Sequence, residues 1–223
     1  MQRIPEPELM TDEAQCQAYA LADFAASNQA FVDIVKKWLP IGAQKVLDIG
    51  CGPADVMIRL ALACPSLQIT AVDGSAKMIE LAEKALADCR LPLSVSTLVG
   101  YVPGLPLPDG DFDVVLSKDF LHHLPDPMAL WQEIRRLARP GAFICVMDLY
   151  RPASTSVAHQ IVDRVAGNEA EVLKIDFYNS LLAAFTSDEI RQQLQAADLD
   201  LNVTLSGDRH LLIQGFITQG GLH

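Results

Sequence analysis

Short apolar runs alternate with helix-forming segments along the middle of the chain, and this alternation limits the possible folds more than any other feature. Each run is apolar at consecutive positions, which is typical of strands buried on both faces of a sheet. Five such runs occupy residues 45–49, 67–73, 93–99, 112–117 and 142–148. Helix-forming segments follow the first, second and fourth runs, at residues 55–63, 75–89 and 127–137. Strands connected by helices form parallel sheets, so the sequence predicts a doubly wound, mostly parallel α/β fold.

The segments on either side of this central pattern are predicted to be helical. Residues 11–39 carry apolar side chains at three- and four-residue spacing, and Pro40 and Gly42 follow as a stop signal. Residues 152–198 are also predominantly helical in pattern, with an interruption expected around Asn179.

Two further strands are predicted near the end of the sequence. Residues 199–206 and 210–217 are strand-like, and the short polar turn between them contains Gly207 and Asp208. This arrangement indicates an antiparallel C-terminal hairpin. We expect one domain over residues 1–223, made of four parts: an N-terminal helical cover, a cofactor-binding core, a helical lid and the closing hairpin, at residues 1–40, 45–148, 149–198 and 199–218.

Composition and charge exclude several classes of function. Half of the residues are hydrophobic and the mean hydropathy is +0.21, which is incompatible with a disordered chain. The net charge of −11 argues against binding to nucleic acid or to an anionic membrane, since both need clustered Lys and Arg. The five cysteines are scattered without a CxxC pair, and no signal peptide or membrane-spanning stretch is visible. We therefore expect a cytoplasmic protein without disulfide bonds.

The sequence "VLDIGCGPAD", residues 46–55, places a glycine-rich turn after the first strand. In open α/β sheets, ligands bind at this end of the strands, and Gly50 and Gly52 allow the backbone to approach a ligand closely. Asp48 would repel the pyrophosphate of a dinucleotide. A carboxylate instead suits a cofactor that carries an ammonium group, such as S-adenosylmethionine. Ala54 is expected to permit the turn with a negative φ.

A second acid ends the next strand. A carboxylate at Asp73 can accept hydrogen bonds from both hydroxyl groups of a ribose. The alternative role, capping the following helix, is better suited to Ser75.

Four segments in order resemble the class I S-adenosylmethionine-dependent methyltransferases, in the broad group that acts on small molecules. These segments are "VLDIGCGPAD", "AVDGSAKMIELA", "LPLPDGDFDVVLSKDFLHHLPDP" and "EIRRLARPGAFICVMD", and they cover residues 45–148 with the spacing of that family. The resemblance implies a Rossmann-like methyltransferase fold with a seven-stranded sheet, closed by the C-terminal hairpin.

The resemblance also implies which residues hold the cofactor. The residues around the first turn and at the end of the fourth strand would contact the methionine part of the cofactor: Asp48, Gly50, Gly52, Pro53, Ser117 and Lys118. Asp73 would hold the ribose, with Gly74 and Met78 near the adenine. Tyr101 stands where the family commonly has an adenine-binding Asp, so its ring or the backbone of Val102 is expected to replace that contact. Tyr19 either folds over the cofactor with Phe24 or forms a core pair with it.

The methyl acceptor has fewer candidate residues. His122, after the fourth strand, is the candidate base or substrate contact, with a purely structural role as its alternative. Asp119, Tyr150 and Arg151 lie at strand ends, and Arg151 would either bind an acidic group or form a surface ion pair. Asp176, Tyr178 and Asn179 are polar positions in the apolar lid segment. Arg209 and His210 are expected to point away from the cofactor. No metal site is predicted.

The function predicted from these residues is methyl transfer from S-adenosylmethionine to an oxygen, nitrogen or carbon atom of a small molecule, by in-line displacement. A catalytically silent S-adenosylmethionine-binding module is the alternative, and an NAD-dependent oxidoreductase a weaker one. The partners expected are a small-molecule substrate and neither nucleic acid nor membrane. The sequence leaves the acceptor and the oligomeric state open.

Overall fold

A computed structural model describes residues 1–6, 13–89 and 92–218. Within them, seven strands form one sheet in the order β3-β2-β1-β4-β5-β7-β6. The strands are β1 Lys45–Ile49, β2 Gln68–Asp73, β3 Val95–Val99, β4 Phe112–Lys118, β5 Ala138–Leu149, β6 Asn202–Ser206 and β7 His210–Phe216. β1 to β5 are parallel, whereas β7 runs antiparallel between β5 and β6. The predicted doubly wound sheet with an antiparallel C-terminal hairpin is confirmed.

Eight helices are described, together with a short 3-10 turn at Leu121–His123 that follows β4. The helices are α1 Glu13–Leu21, α2 Ala25–Trp38, α3 Asp55–Ala63, α4 Ala76–Asp88, α5 Met128–Leu137, α6 Thr155–Ala166, α7 Glu171–Ala183 and α8 Ser187–Ala196. In the described ranges, none of these helices combines the length and the apolarity needed to cross a bilayer.

Two hydrophobic cores lie on opposite faces of the sheet. Alternate residues of a strand point to opposite faces: in β1, Val46 packs into the core that contains α2 and α3, and Leu47 into the core that contains α5 and α8. Val114 and Val115 of β4 divide in the same way. Strands with both faces covered explain why the central runs are apolar at consecutive positions.

The predicted N-terminal helix is wrong in one respect, because the structure has two helices there. α1 ends at Leu21 and α2 begins at Ala25, whose N–H donates to Asp23 Oδ1 at 3.0 Å. This local cap competes with continuation of the helix. The predicted start at residue 11 lies outside the described residues.

The interruption predicted around Asn179 is also wrong, since Asn179 lies inside α7. The breaks fall instead at residues 167–170 and 184–186. The second break is fixed by a capping box, in which the Thr186 hydroxyl accepts from the Glu189 N–H and the Glu189 carboxylate accepts from the Thr186 N–H.

The loop that follows β3 is held by a buried carboxylate on α5. Glu133 Oε2 accepts from the Gly104 N–H at 3.1 Å, and Oε1 accepts from the Leu105 N–H at 2.8 Å. Arg136 pairs with the same carboxylate at 2.5 Å. Because this loop begins at Tyr101 and Val102, which line the cavity described below, Glu133 supports the site through the backbone.

We predict that Glu133→Ala lowers the free energy of unfolding by about 2–4 kcal/mol, because two backbone donors and Arg136 lose a charged partner inside the protein. Urea denaturation followed by circular dichroism measures this change. Glu80→Ala is the matched control, since Glu80 is exposed and pairs only with Lys77 on its own helix among the described residues. Equal denaturation midpoints for the two variants would contradict the role given to Glu133.

Candidate active site

A cavity of about 710 Å³ lies at the carboxyl ends of the central strands. Its floor is formed where β1 is flanked by β2 on one side and β4 on the other, which is the point where the strand order reverses. Ligands bind at this position in doubly wound sheets, and the volume is within the range of small-molecule sites. α1, the start of α2 and one face of α7 form the other walls.

The glycine-rich turn after β1 is built from left-handed backbone conformations. Gly50 has φ +80° and Gly52 has φ +52°. The N–H groups of Gly50 and Cys51 donate to the Val72 carbonyl at 2.8 and 2.9 Å, so the turn is fixed to β2. A Cβ on Gly50 would lie 2.4 Å from the Phe120 ring, whereas one on Gly52 would meet only Tyr19, at 3.9 Å.

The conformation expected for Ala54 is wrong. Its φ is +65°, in the left-handed region, and its side chain is fully buried. A residue with a Cβ is strained there, and the surrounding structure maintains the strain. Ala54 therefore continues the left-handed geometry of the glycines up to the start of α3.

Two carboxylates lie at the ends of neighbouring strands in the cavity. Asp48 is 3% exposed, and burial, reinforced by the charge of Asp73 and opposed by Lys118, raises the pKa of Asp48 to about 7. Burial also raises the pKa of Asp73, although Asp73 accepts backbone N–H groups from Gly52 at 2.9 Å and Ser75 at 2.8 Å. The free protein therefore holds two carboxyl groups that would both be stabilised by a cationic ligand.

Ser75, as predicted, is the N-cap of α4, and its hydroxyl oxygen accepts from the Met78 N–H at 3.3 Å. Asp73 is thereby not needed as the side-chain cap. Gly74 and the buried Met78 line the cavity beside it. Tyr101 and Val102 line the same end, and Tyr101 is 57% exposed. The structure thus brings together the residues expected around a ribose and an adenine.

The end of β4 supplies a second group of charges. Lys118 and Asp119 line the cavity and form an ion pair with each other. Burial acts to raise the pKa of Asp119, but Lys118 and His210 outweigh it, so that the pKa lies far below its usual value. Ser117 does not reach the cavity: it is fully buried and its hydroxyl donates to the Ile49 carbonyl at 2.7 Å.

The expectation that Arg209 and His210 point away from the cofactor is wrong. β7 is antiparallel and adjacent to β5, and His210 pairs with Leu149 at the carboxyl end of β5. The start of β7 therefore lies at the same edge of the sheet as the cavity, which both residues line. His210 Nε2 is 3.5 Å from Asp119 Oδ1.

The two histidines after β4 also line the cavity. Asp148, at the end of β5, contacts His122 twice: Oδ1 is 2.7 Å from Nδ1, and Oδ2 accepts from the His122 N–H at 3.4 Å. Burial acts to lower the pKa of His122, but Asp148 and Glu6 outweigh it and the pKa is raised. This loop is therefore fixed to the neighbouring strand by a buried carboxylate.

Three residues that were predicted to contact the methyl acceptor make other contacts within the protein. Arg151 is buried, donates to the Ala184 carbonyl and pairs with Glu189 at 2.7 Å, so neither a substrate contact nor a surface ion pair describes it. Tyr150 packs into the core on the α5 and α8 face. Tyr178 stacks on His159, with 4.3 Å between the ring centroids. None of the three is among the described residues that line the cavity.

Asn179 is exposed, and it too lies outside the cavity. The cavity-facing residues of α7 are Leu173, Asp176, Phe177 and Ser180. Their spacing of three and four residues defines one helix face, and Tyr178 and Asn179 lie off that face. The interruption expected at Asn179 concealed this periodicity.

The predicted aromatic pair Tyr19 and Phe24 lines the cavity, with ring centroids 4.9 Å apart. Other cavity residues were not predicted from the sequence. Beside the aromatic pair, Asn28 donates to Asp55 Oδ2 at 2.8 Å, and Arg59 donates to the same oxygen at 2.7 Å. The four-residue spacing of Asp55 and Arg59 on α3 was a visible signal; the contribution of Asn28 from α2 was not.

Comparisons with known proteins agree with this geometry. A family model described as a methyltransferase domain matches residues 47–146. The chain is 30% identical over 185 residues to 27-O-demethylrifamycin SV methyltransferase of Amycolatopsis mediterranei, which covers 80% of this chain and 62% of that protein. The chain is thus similar to a methyltransferase domain in the sequence of residues 47–146, and it has the fold of a solved S-adenosylmethionine-dependent methyltransferase.

Two other similarities, one in sequence and one in fold, point in the same direction. The chain is 31% identical over 139 residues to the ubiquinone biosynthesis O-methyltransferase of Albidiferax ferrireducens, which covers 58% of this chain and 51% of that protein. Its fold matches a solved S-adenosylmethionine-dependent methyltransferase from Aquifex aeolicus with a TM-score of 0.69 and 17% identity, over 94% of this chain and all of that one. The chain spans 38% to 62% of the length of five curated relatives that it matches.

The residues present fit S-adenosylmethionine, the methyl donor named for the solved structure of similar fold. Two acids and a turn of glycines with space above Gly52 suit a ligand that carries ammonium and sulfonium charges and a ribose. Lys118, a nearby cation, is already paired with Asp119, which disfavours a ligand with a pyrophosphate.

We predict that Gly50→Ala destabilises the protein by about 2–4 kcal/mol and Gly52→Ala by only about 1 kcal/mol. Both alanines would be strained at a positive φ, by about 1 kcal/mol, but only the Gly50 variant must also displace Phe120. Thermal and urea unfolding of the two variants measure the difference. Equal destabilisation by the two variants would contradict this prediction, because the overlap with Phe120 would then add no cost at Gly50.

We predict that affinity for S-adenosylhomocysteine falls as the pH drops through about 7, approaching tenfold per pH unit well below it, because protonation of Asp48 removes the charge facing the cofactor ammonium. Stability changes in the opposite direction. The pKa of Asp48 in the folded protein lies above its value in the unfolded chain, so the free energy of unfolding falls as the pH rises from about 4 to about 7. Titration calorimetry from pH 5.5 to 8.5 measures the affinity.

Asp73 and Lys118 also face Asp48, so Asp48→Asn is the variant that assigns the pH dependence. It should bind weakly at pH 8 and show little change in affinity across the range. A pH profile identical to that of the wild type would assign the titration to another group.

Proposed function

We propose that this protein transfers the methyl group of S-adenosylmethionine to an oxygen, nitrogen or carbon atom of a small molecule by in-line displacement. The observation that carries the proposal is one cavity in which the acids Asp48 and Asp73 occupy one end and α7 another, where Leu173 and Phe177 provide apolar surface. The first end suits the cofactor and the second suits an acceptor with apolar surface.

The size of the acceptor is inferred from the walls of the cavity and from the relatives. α1 and α7 lie across the strand ends, which supports a small molecule over a folded macromolecule. The two curated relatives described above are named for rifamycin and ubiquinone chemistry, which are small molecules. The net charge of −11 supports an acceptor other than nucleic acid.

We assign the cofactor contacts by their chemistry. Asp48 would balance the charge of the methionine part, beside Gly50, Gly52 and Pro53. Asp73 would hold the ribose hydroxyls, because each of its oxygens accepts one backbone N–H and can accept a second donor. Tyr101, exposed at the edge of the cavity, would cover the adenine with its ring.

S-adenosylmethionine supplies a methyl group already activated by the sulfonium, so the protein mainly aligns the acceptor and excludes water. Tyr19 and Phe24 on one side and Leu173 and Phe177 on the other are the apolar groups placed to exclude it. A proton must leave only if the acceptor atom carries one at the working pH. His122 is the candidate to receive it at Nε2, since Asp148 holds Nδ1.

We predict that the wild type binds S-adenosylmethionine and S-adenosylhomocysteine with micromolar affinity, and that Asp73→Ala weakens binding by about 30-fold or more. Two hydrogen bonds to a charged acceptor would be lost, at about 1.5–3 kcal/mol each. Calorimetry measures this effect, with thermal unfolding as the check that the variant is folded. Asp163→Ala, on the exposed face of α6, is the control.

A second measurement tests transfer itself. The wild type is incubated with methyl-labelled S-adenosylmethionine and a cell extract, and label is followed into small molecules, protein and RNA. Label in the small-molecule fraction is the expected result. Binding without transfer would favour the catalytically silent module, label in RNA or protein would overturn the acceptor class, and NADH binding without a response to S-adenosylhomocysteine would overturn the proposal entirely.

A further inference from the structure

Three potential metal ligands from distant parts of the chain meet beside the cavity. They are Glu6, His122 and His123, here named the Glu6 cluster, and one ligand atom from each lies within 4.8 Å of the others. Glu6 Oε1 is 3.5 Å from His122 Nε2 and 2.9 Å from His123 Nδ1. Ligand atoms that share an ion at about 2.1 Å are separated by roughly 3.0–3.4 Å, so small adjustments would complete a site.

Groups around the Glu6 cluster orient its ligands. Asp148 holds Nδ1 of His122, which turns Nε2 towards Glu6. A carboxylate that orients a histidine in this way is the usual second partner of a metal-binding imidazole. The Ser180 hydroxyl donates to Glu6 Oε1 at 3.0 Å, and Arg3 donates to the carbonyl of His122 at 2.9 Å. The N-terminal segment and α7 thus fix Glu6 against the histidine loop.

Ion pairing between Glu6 and the histidines leaves one group unexplained. His123 Nδ1 is buried, and its contact with Glu6 does not have hydrogen-bond geometry, so it has no hydrogen-bond partner among the described residues. A buried nitrogen without a partner is unfavourable. A cation bound by this nitrogen, His122 Nε2 and the Glu6 carboxylate would satisfy all three ligand atoms.

We propose that the Glu6 cluster binds one divalent first-row transition metal ion. Two imidazole nitrogens and one carboxylate favour ions such as Zn²⁺, Fe²⁺ or Co²⁺ over Mg²⁺ and Ca²⁺, which prefer oxygen ligands alone. Glu6 is far from the histidines along the chain, so the cluster matches no motif of closely spaced metal ligands, and no metal site was expected.

The position of the ion has a consequence that depends on the proposed function. Both histidines line the cavity, and three protein ligands leave coordination positions open. An oxygen of the acceptor is a suitable additional ligand, and a hydroxyl bound there would lose its proton more readily. While the ion is bound, His122 is a ligand and not a base.

Metal binding is tested on untagged full-length protein that has been treated with EDTA and desalted. Co²⁺ is titrated while its visible absorption is recorded, and Zn²⁺ is titrated by calorimetry. We expect one ion per chain with micromolar or tighter affinity. Glu6→Gln and His123→Ala should each weaken binding by about tenfold or more, and Asp148→Asn by about tenfold, as for an orienting carboxylate. His159→Ala, which removes an exposed histidine on α6, should leave binding unchanged.

S-adenosylhomocysteine binding is measured on the same variants. Glu6→Gln and His123→Ala should retain it, which shows that they are folded and separates this proposal from the proposed function. Binding only at millimolar metal, or binding unaffected by both Glu6→Gln and His123→Ala, would overturn the metal site even if methyl transfer is observed. Loss of cofactor binding in the wild type would overturn the proposed function alone.

Discussion

The burial of two carboxyl groups on neighbouring strands is the constraint on which the site depends. Asp48 and Asp73 both have raised pKa values, because burial disfavours their charged forms, and at Asp48 the charge of Asp73 adds to this effect. The sheet enforces this arrangement, since β1 and β2 pair in parallel and both end at the cavity. A ligand that brings positive charge and hydroxyl donors relieves the repulsion, whereas an anionic ligand would add to it. The electrostatics of the free protein therefore favour a cationic ligand over an anionic one.

Strand order determines which other residues can reach this point. β4 and β5 continue the sheet on the other side of β1, so Asp148 lies close enough to hold the loop after β4 through His122. β7 then enters antiparallel beside β5, which brings His210 to Asp119. His122 and Asp119 are thus each held by an ionisable partner on another strand, and such fixed side chains suit a mechanism that depends on alignment.

The sequence was sufficient for the sheet and for the acids and glycines that line the cavity at the ends of β1 and β2, because both depend on local patterns. Consecutive apolar residues predict a doubly covered strand, and an acid followed by glycines at a strand end predicts a ligand turn. Predictions failed where long-range geometry decides. The antiparallel direction of β7 was predicted, but its pairing with β5 places His210 at the cavity edge of the sheet and not away from it. The phase of α7 directs Phe177 and Ser180, not Tyr178, into the cavity. Ala54 adopts φ +65° because the turn imposes it, against its intrinsic preference.

The N-terminal segment is the part of the site that local patterns were least able to predict. The Ile4 N–H donates to the Leu182 carbonyl, and Arg3 donates to carbonyls of Ala183, His122 and Leu124 and lies over the Phe185 ring. These contacts join the loop after β4 to the end of α7. Because they are made mostly to backbone carbonyls, they do not depend on which residues the partners are and could not be predicted from the sequence. Glu6 in this segment meets the histidines that follow β4, so this part of the cavity is assembled from distant parts of the chain, whereas Asp48 and Asp73 come from neighbouring strands.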